Sequence, residues 1–181
     1  MSVRSVWSTR ANALTGLRLL LAPPFALAVL EGAALPALAF LVVAVASDFA
    51  DGWVARRFGE VSRLGGLVDH AVDATFVTAG CAALAQTGAL PVPLPPLIAL
   101  AFLQYAVDSW WVGPGGLRAS TLGRWNGIAY FVIVAVPVTR DALGLPGPGA
   151  DLVRALGWLL VASTLLSMLD RLRALLAYCR S

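Results

Sequence analysis

The chain has 181 residues, 59% of them apolar and only 13% charged, with a mean hydropathy of +0.81, where a soluble domain carries about 25% charged residues. That balance excludes an ordinary water-soluble domain and a disordered chain, and two cysteines are too few for a disulfide framework. The net charge of +3 is thirteen arginines, with no lysine, against ten acidic residues; the arginines are grouped between apolar runs, so they read as membrane sidedness and not as a nucleic-acid surface.

A transmembrane helix needs about 20 apolar residues, and apolar runs separated by Gly/Pro breaks predict six of them. The first spans Leu14 to Leu30. Asn12, Thr15 and Arg18 open it; Asn12 suits a helix cap, and Arg18 is expected to snorkel to the interface. Arg18 and Pro23-Pro24 interrupt this run in a way that argues against a cleavable signal peptide. After the break at Glu31-Gly32, the second span runs from Leu35 to Asp51 and ends in a charged stretch, Gly52 to Leu64. The third covers Gly65 to Gln86, and the proline cluster Pro91 to Pro96 leads into the fourth, Leu94 to Val112. The fifth, Leu122 to Thr139, lies between two Gly/Pro turns, and the sixth covers Leu152 to Leu169.

The expected fold is an all-α polytopic membrane protein of six transmembrane helices, one membrane domain over residues 1–181 with no internal repeat. A cytoplasmic N-terminus puts eleven of the thirteen arginines inside and only Arg140 and Arg154 outside, so both termini are expected in the cytoplasm. Trp7 and Trp110-Trp111 are expected interfacial anchors.

Ten acidic residues exist in the chain, and four of them, Asp48, Asp51, Asp69 and Asp73, fall within 26 residues. Asp48 and Asp51 end the second span at i and i+3; Asp69 and Asp73 open the third at i and i+4. Each pair therefore shares a helix face. The two helices are antiparallel neighbours, so the pairs are expected to converge near the cytoplasmic interface. An intramembrane carboxylate costs a few kcal/mol, and four together need positive charge. Arg56, Arg57 and Arg63 are near in sequence, while an oxygen-only site suits hard divalent cations such as Mg²⁺ or Mn²⁺. Zinc is disfavoured because His70 is the sole histidine and Cys81 and Cys179 are far apart. Four carboxylates can bridge a pair of ions, which points to phosphoryl transfer, whose transition state needs charge neutralisation and positioning. Gly52 and Gly65 would let a phosphate approach the backbone, although each also fits a helix terminus or a packing contact.

The run Asp48-x2-Asp51-Gly52-x2-Ala55-Arg56-x8-Gly65-x3-Asp69-x3-Asp73 resembles the complete signature of the CDP-alcohol phosphotransferase family, with every fixed residue and gap matched. The first-span entrance, Asn12-x2-Thr15-x2-Arg18, also resembles the family start, and the six spans and cytoplasmic N-terminus extend the resemblance over most of the chain. It implies a membrane enzyme that moves a phosphatidyl group from CDP-diacylglycerol to an alcohol and releases CMP. Two Mg²⁺ or Mn²⁺ ions would be held by Asp48, Asp51, Asp69 and Asp73, with Asp73 also the general base. Asp48, Gly52, Ala55, Arg56, Gly65 and Asp69 would bind the CDP donor. The resemblance further implies a homodimer in the cell membrane, its active site facing the cytoplasm.

A second polar stretch, Gly116 to Asn126, carries Arg118, Ser120 and Arg124, which suit a phosphate-bearing acceptor. Phosphatidylglycerophosphate synthases have a similar run, favouring glycerol 3-phosphate; they often carry lysine where this chain has Arg124. Phosphatidylglycerol and an inositol phosphate are the alternative acceptors. Topology alone also accounts for these arginines. Asp108 is an unassigned intramembrane acid that either hydrogen-bonds a neighbouring helix or approaches Arg118. Readings outside this chemistry are a divalent-cation transporter, which should place its carboxylates at the bilayer midplane between repeats, and a catalytically silent subunit.

Overall fold

A computed structural model of the protein describes residues 10–58, 63–111 and 121–178. They form six helices: α1 (Arg10–Leu30), α2 (Ala34–Phe58), α3 (Arg63–Gln86), α4 (Leu94–Trp111), α5 (Thr121–Leu143) and α6 (Ala150–Tyr178). No strand occurs among the described residues. α2, α3, α5 and α6 contain stretches long and apolar enough to cross a membrane, and α1 and α4 contribute the shorter apolar segments Thr15–Leu30 and Leu94–Asp108. The expected all-α polytopic architecture is therefore observed.

Helix ends depart from the hydropathy boundaries. α2 continues through Phe58, so Gly52, Ala55 and Arg56 are helical and not part of a connecting loop. α6 extends to Tyr178, nine residues past the expected end at Leu169. In both cases the helix outlasts the apolar run, because a helix satisfies its own backbone hydrogen bonds whether or not its side chains remain apolar. The Trp7 anchor and the side chains of Trp110-Trp111 lie outside what is described.

Polarity is arranged inside out. Leu20, Phe49, Leu159 and Leu166 are exposed, whereas Arg18, Asp51, Asp108, Asn126 and Thr164 are buried. Such a distribution suits lipid, where an apolar exterior costs nothing and polar groups are placed between helices. α1 packs on α2 and α3, α3 on α4 and α5, α2 also on α5, and α6 on α4 and α5.

The centre is closed by shape. Phe25 of α1 stacks on Phe76 of α3 with ring centroids 4.8 Å apart, and a Cβ on Gly80 would lie 2.6 Å from the Phe25 ring. α1 and α3 approach closely there because Gly80 has no side chain. At the end of the bundle formed by the α3–α4 connection, a Cβ on Gly157 of α6 would meet the Pro91 ring at 2.5 Å, and Arg154 Nε donates to the Gly88 carbonyl at 3.1 Å. The opposite end gathers the beginnings of α1, α3 and α5 and the last turns of α2, α4 and α6. All the acidic residues of the motif are at that end.

Candidate active site

The four aspartates meet around one side chain. Arg18 Nη1 donates to Asp48 Oδ1 at 2.8 Å and also to Asp73 Oδ1. Its Nη2 donates to Asp51 Oδ2 and to Asp69 Oδ1. Thr15, one turn earlier on α1, donates to Asp51 Oδ2 at 3.1 Å. A guanidinium is a planar fork of five N–H donors, which lets one residue of α1 engage carboxylates from both α2 and α3. Arg18 Nε is buried without a partner among the described residues.

This corrects the expectation that Arg18 snorkels outward: its side chain is only 1% exposed. Among the described residues the cation within the cluster comes from another helix, α1, and not from the arginines near the aspartates in sequence. Arg57 is exposed and lies over the Trp53 ring, 5.6 Å from its centroid. The side chains of Ala55, Arg56 and Arg63 lie outside the description.

The carboxylates are not equally enclosed. Asp51 is 6% exposed, whereas Asp48 is 43% exposed and Asp69 and Asp73 lie between. The cluster thus has a closed side against α1 and an open side toward the end of the bundle. Asp48, Asp51 and Asp69 can each offer one oxygen with all three atoms within 4.8 Å of one another. Four carboxylates and one guanidinium sum to −3, so the arrangement retains a large deficit of positive charge.

Beside the cluster lies a cavity of about 550 Å³, bounded by α3, α4, α5 and α6. Val77, Ile98, Phe102 and Phe131 contribute apolar wall, and Asp73, His70, Arg124 and Arg171 contribute charge or polarity. Asp73 alone of the four aspartates lines this cavity. Arg124 is exposed; Arg118 and Ser120 lie outside the described residues, so among the expected acceptor residues only Arg124 is placed at the cavity.

Polar groups that the motif does not contain also reach it. Asn126 Oδ1 accepts from Ser163 at 2.6 Å, and its Nδ2 is buried with no partner among the described residues. Gln104 donates through Nε2 to the Met168 carbonyl at 3.1 Å, leaving Oε1 buried with no partner among the described residues. Tyr130 and Thr164 share a hydrogen bond of 2.7 Å. Sequence reasoning missed Arg171, which it counted only as an inside charge. A detectable signal was present: Arg171 and Asp108 are opposite charges in or beside apolar runs, where a partner is expected.

A family model described as CDP-alcohol phosphatidyltransferase matches residues 8–176. The chain belongs to the CDP-alcohol phosphatidyltransferase family. The enzyme is also similar to a protein named "Probable phosphatidylglycerophosphate synthase" in two strains of Mycobacterium tuberculosis. Each is 31% identical over 150 residues, covering 76% of this chain and 68% of the relative. No solved structure matches. Family membership makes the protein a membrane phosphotransferase of phospholipid synthesis.

Members of this family use divalent metals, and the residues present fit such ions. The donor set is oxygen only, three of its members are within bridging reach, and the surplus negative charge exceeds what Arg18 neutralises.

Proposed function

We propose that the enzyme transfers the phosphatidyl group of CDP-diacylglycerol to glycerol 3-phosphate and releases CMP, from a single membrane domain with its site facing the cytoplasm. The observation that carries this reading is the position of Asp73, which belongs to the carboxylate cluster through Arg18 and also lines the neighbouring cavity. A base that accepts a proton from one substrate while the other is held beside it must occupy such a boundary.

Asp48, Asp51, Asp69 and Asp73 would hold two Mg²⁺ or Mn²⁺ ions, which supply charge neutralisation for the donor diphosphate. Gly52, Ala55, Arg56 and Gly65 are assigned to the CDP donor. Arg56 follows Asp51 by five residues on α2, and a permanent cation suits a phosphate. In the cavity, Arg124 and Arg171 receive the acceptor's phosphate, with Arg118 and Ser120 assigned to the same role. Asn126 Nδ2 and Gln104 Oε1 are available to acceptor hydroxyls. Asp73 takes the acceptor's hydroxyl proton as that oxygen attacks the phosphorus bearing the diacylglycerol, and the bond from phosphorus to the CMP oxygen breaks.

The named relatives support glycerol 3-phosphate. The apolar wall of the cavity favours a second reading, in which the acceptor is itself a lipid such as phosphatidylglycerol. Purified protein given labelled CDP-diacylglycerol, Mg²⁺ or Mn²⁺ and either acceptor, or an inositol phosphate, separates these readings by the lipid formed. Phosphatidylglycerophosphate is the expected product; absence of any lipid product from all three acceptors would sink the assignment. A homodimer is proposed as well, to be checked by mass in detergent or nanodiscs.

A further inference from the structure

Asp108 lies near the end of α4 and is 3% exposed, yet it is no part of the carboxylate motif. It accepts a hydrogen bond from Arg171 Nε of α6. The guanidinium of Arg171 also lies over the ring of Tyr105, 4.8 Å from its centroid, and Tyr105 stacks on His70 with centroids 5.9 Å apart. Arg171, Tyr105 and His70 all line the cavity that Asp73 lines.

Two features distinguish this pair from a simple helix tie. First, α4 is already fastened to α6 by Gln104, one turn before Asp108, through the Met168 carbonyl; a buried acid is a costly way to repeat that fastening. Second, Asp108 holds Nε, the inner edge of the guanidinium, rather than the paired Nη edge that matches phosphate oxygens in bidentate fashion. Tyr105 supports one face of the same group, so the plane and direction of Arg171 are set from two sides.

We propose that Asp108 is a positioning residue, which orients Arg171 toward the phosphate of the acceptor substrate in this cavity. The proposal rests on the reading of the cavity as the acceptor site. Asp108 touches no substrate; its effect passes through Arg171.

The test is steady-state kinetics of the purified enzyme with glycerol 3-phosphate varied at saturating CDP-diacylglycerol, then the reverse. Asp108→Asn should raise KM for glycerol 3-phosphate about tenfold or more, as expected for loss of a hydrogen bond to a charged group. It should leave kcat within a few-fold and KM for the donor unchanged. Asp108→Glu should recover part of the loss. Inorganic phosphate should compete with the acceptor in the wild type and do so more weakly in Asp108→Asn. Arg171→Ala should raise acceptor KM further, and adding Asp108→Asn to it should have little extra effect, because the two act as one unit. If Arg171→Ala raises acceptor KM and Asp108→Asn does not, the positioning role is overturned while the cavity assignment stands. If Arg171→Ala leaves acceptor KM unchanged, the cavity assignment fails and takes the proposal with it. A fall in kcat with both KM values altered, unrescued by Asp108→Glu, marks a structural role and also overturns it.

Discussion

Arg18 and Asp51, 33 residues apart in sequence, are joined through Nη2 of the guanidinium on the closed side of the cluster, where both side chains are nearly inaccessible. Thr15 holds the same carboxylate at 3.1 Å. The contact makes α1 a component of the acidic site, although the acidic run itself, Asp48 to Asp73, lies wholly on α2 and α3.

Removing this cation should be felt before any substrate binds. Arg18→Ala leaves four converging carboxylates without their common partner, and breaking a buried pair costs about 3–5 kcal/mol. The variant should melt at lower temperature in detergent with a chelator present, and Mg²⁺ or Mn²⁺ should restore more stability to it than to the wild type. Arg18→Lys should fall between, since an ammonium lacks the planar fork that reaches both helices. Equal melting of wild type and Arg18→Ala in chelator would refute the role.

Asp73→Asn should lower CMP release from CDP-diacylglycerol about 100-fold or more, within the range for loss of a general base. Donor binding should change far less. Full turnover in this variant would remove Asp73 from the proposed base role.

Chelation should abolish transfer, and Mg²⁺ or Mn²⁺ should restore it where a monovalent salt does not. Asp51→Asn should raise the metal concentration needed for half-maximal activity, because the most enclosed carboxylate of the cluster has been neutralised. Activity that survives exhaustive chelation would contradict the divalent-ion assignment.

Gly80→Ala should destabilise the bundle by about 1–3 kcal/mol, the usual cost of overpacking, because its Cβ would press on Phe25. Gly16→Ala is the matched control: apart from its chain neighbours and its own helix backbone, no heavy atom of the described residues lies within 4 Å of its Cβ, and alanine is the better helix former. Thermal unfolding of the two variants side by side should give changes of opposite sign or, at least, of clearly unequal size.

The helices and the acidic pairs were legible from sequence because both depend on local spacing: apolar runs mark spans, and i, i+3 or i, i+4 separations place Asp48 with Asp51 and Asp69 with Asp73. The source of the balancing charge was not legible in the same way. Arg56, Arg57 and Arg63 are the arginines near the aspartates in sequence, whereas Arg18 arrives from α1, whose packing on α2 and α3 is set by contacts such as Phe25 against Phe76 and Gly80. The same limit hid Arg171. Its partner Asp108 lies 63 residues away, and positive-inside statistics accounted for the arginine without requiring any partner.

The two ends of the bundle are closed by different forces. One is held by Arg18 among carboxylates, and the other by Gly157 fitted to Pro91 and by Arg154 on a backbone carbonyl. Salt, chelators and anionic ligands therefore act chiefly on the first end, and changes of side-chain volume chiefly on the second. The acidic end should respond most to its ionic surroundings, while the far end is set mainly by the fit of Gly157 to Pro91.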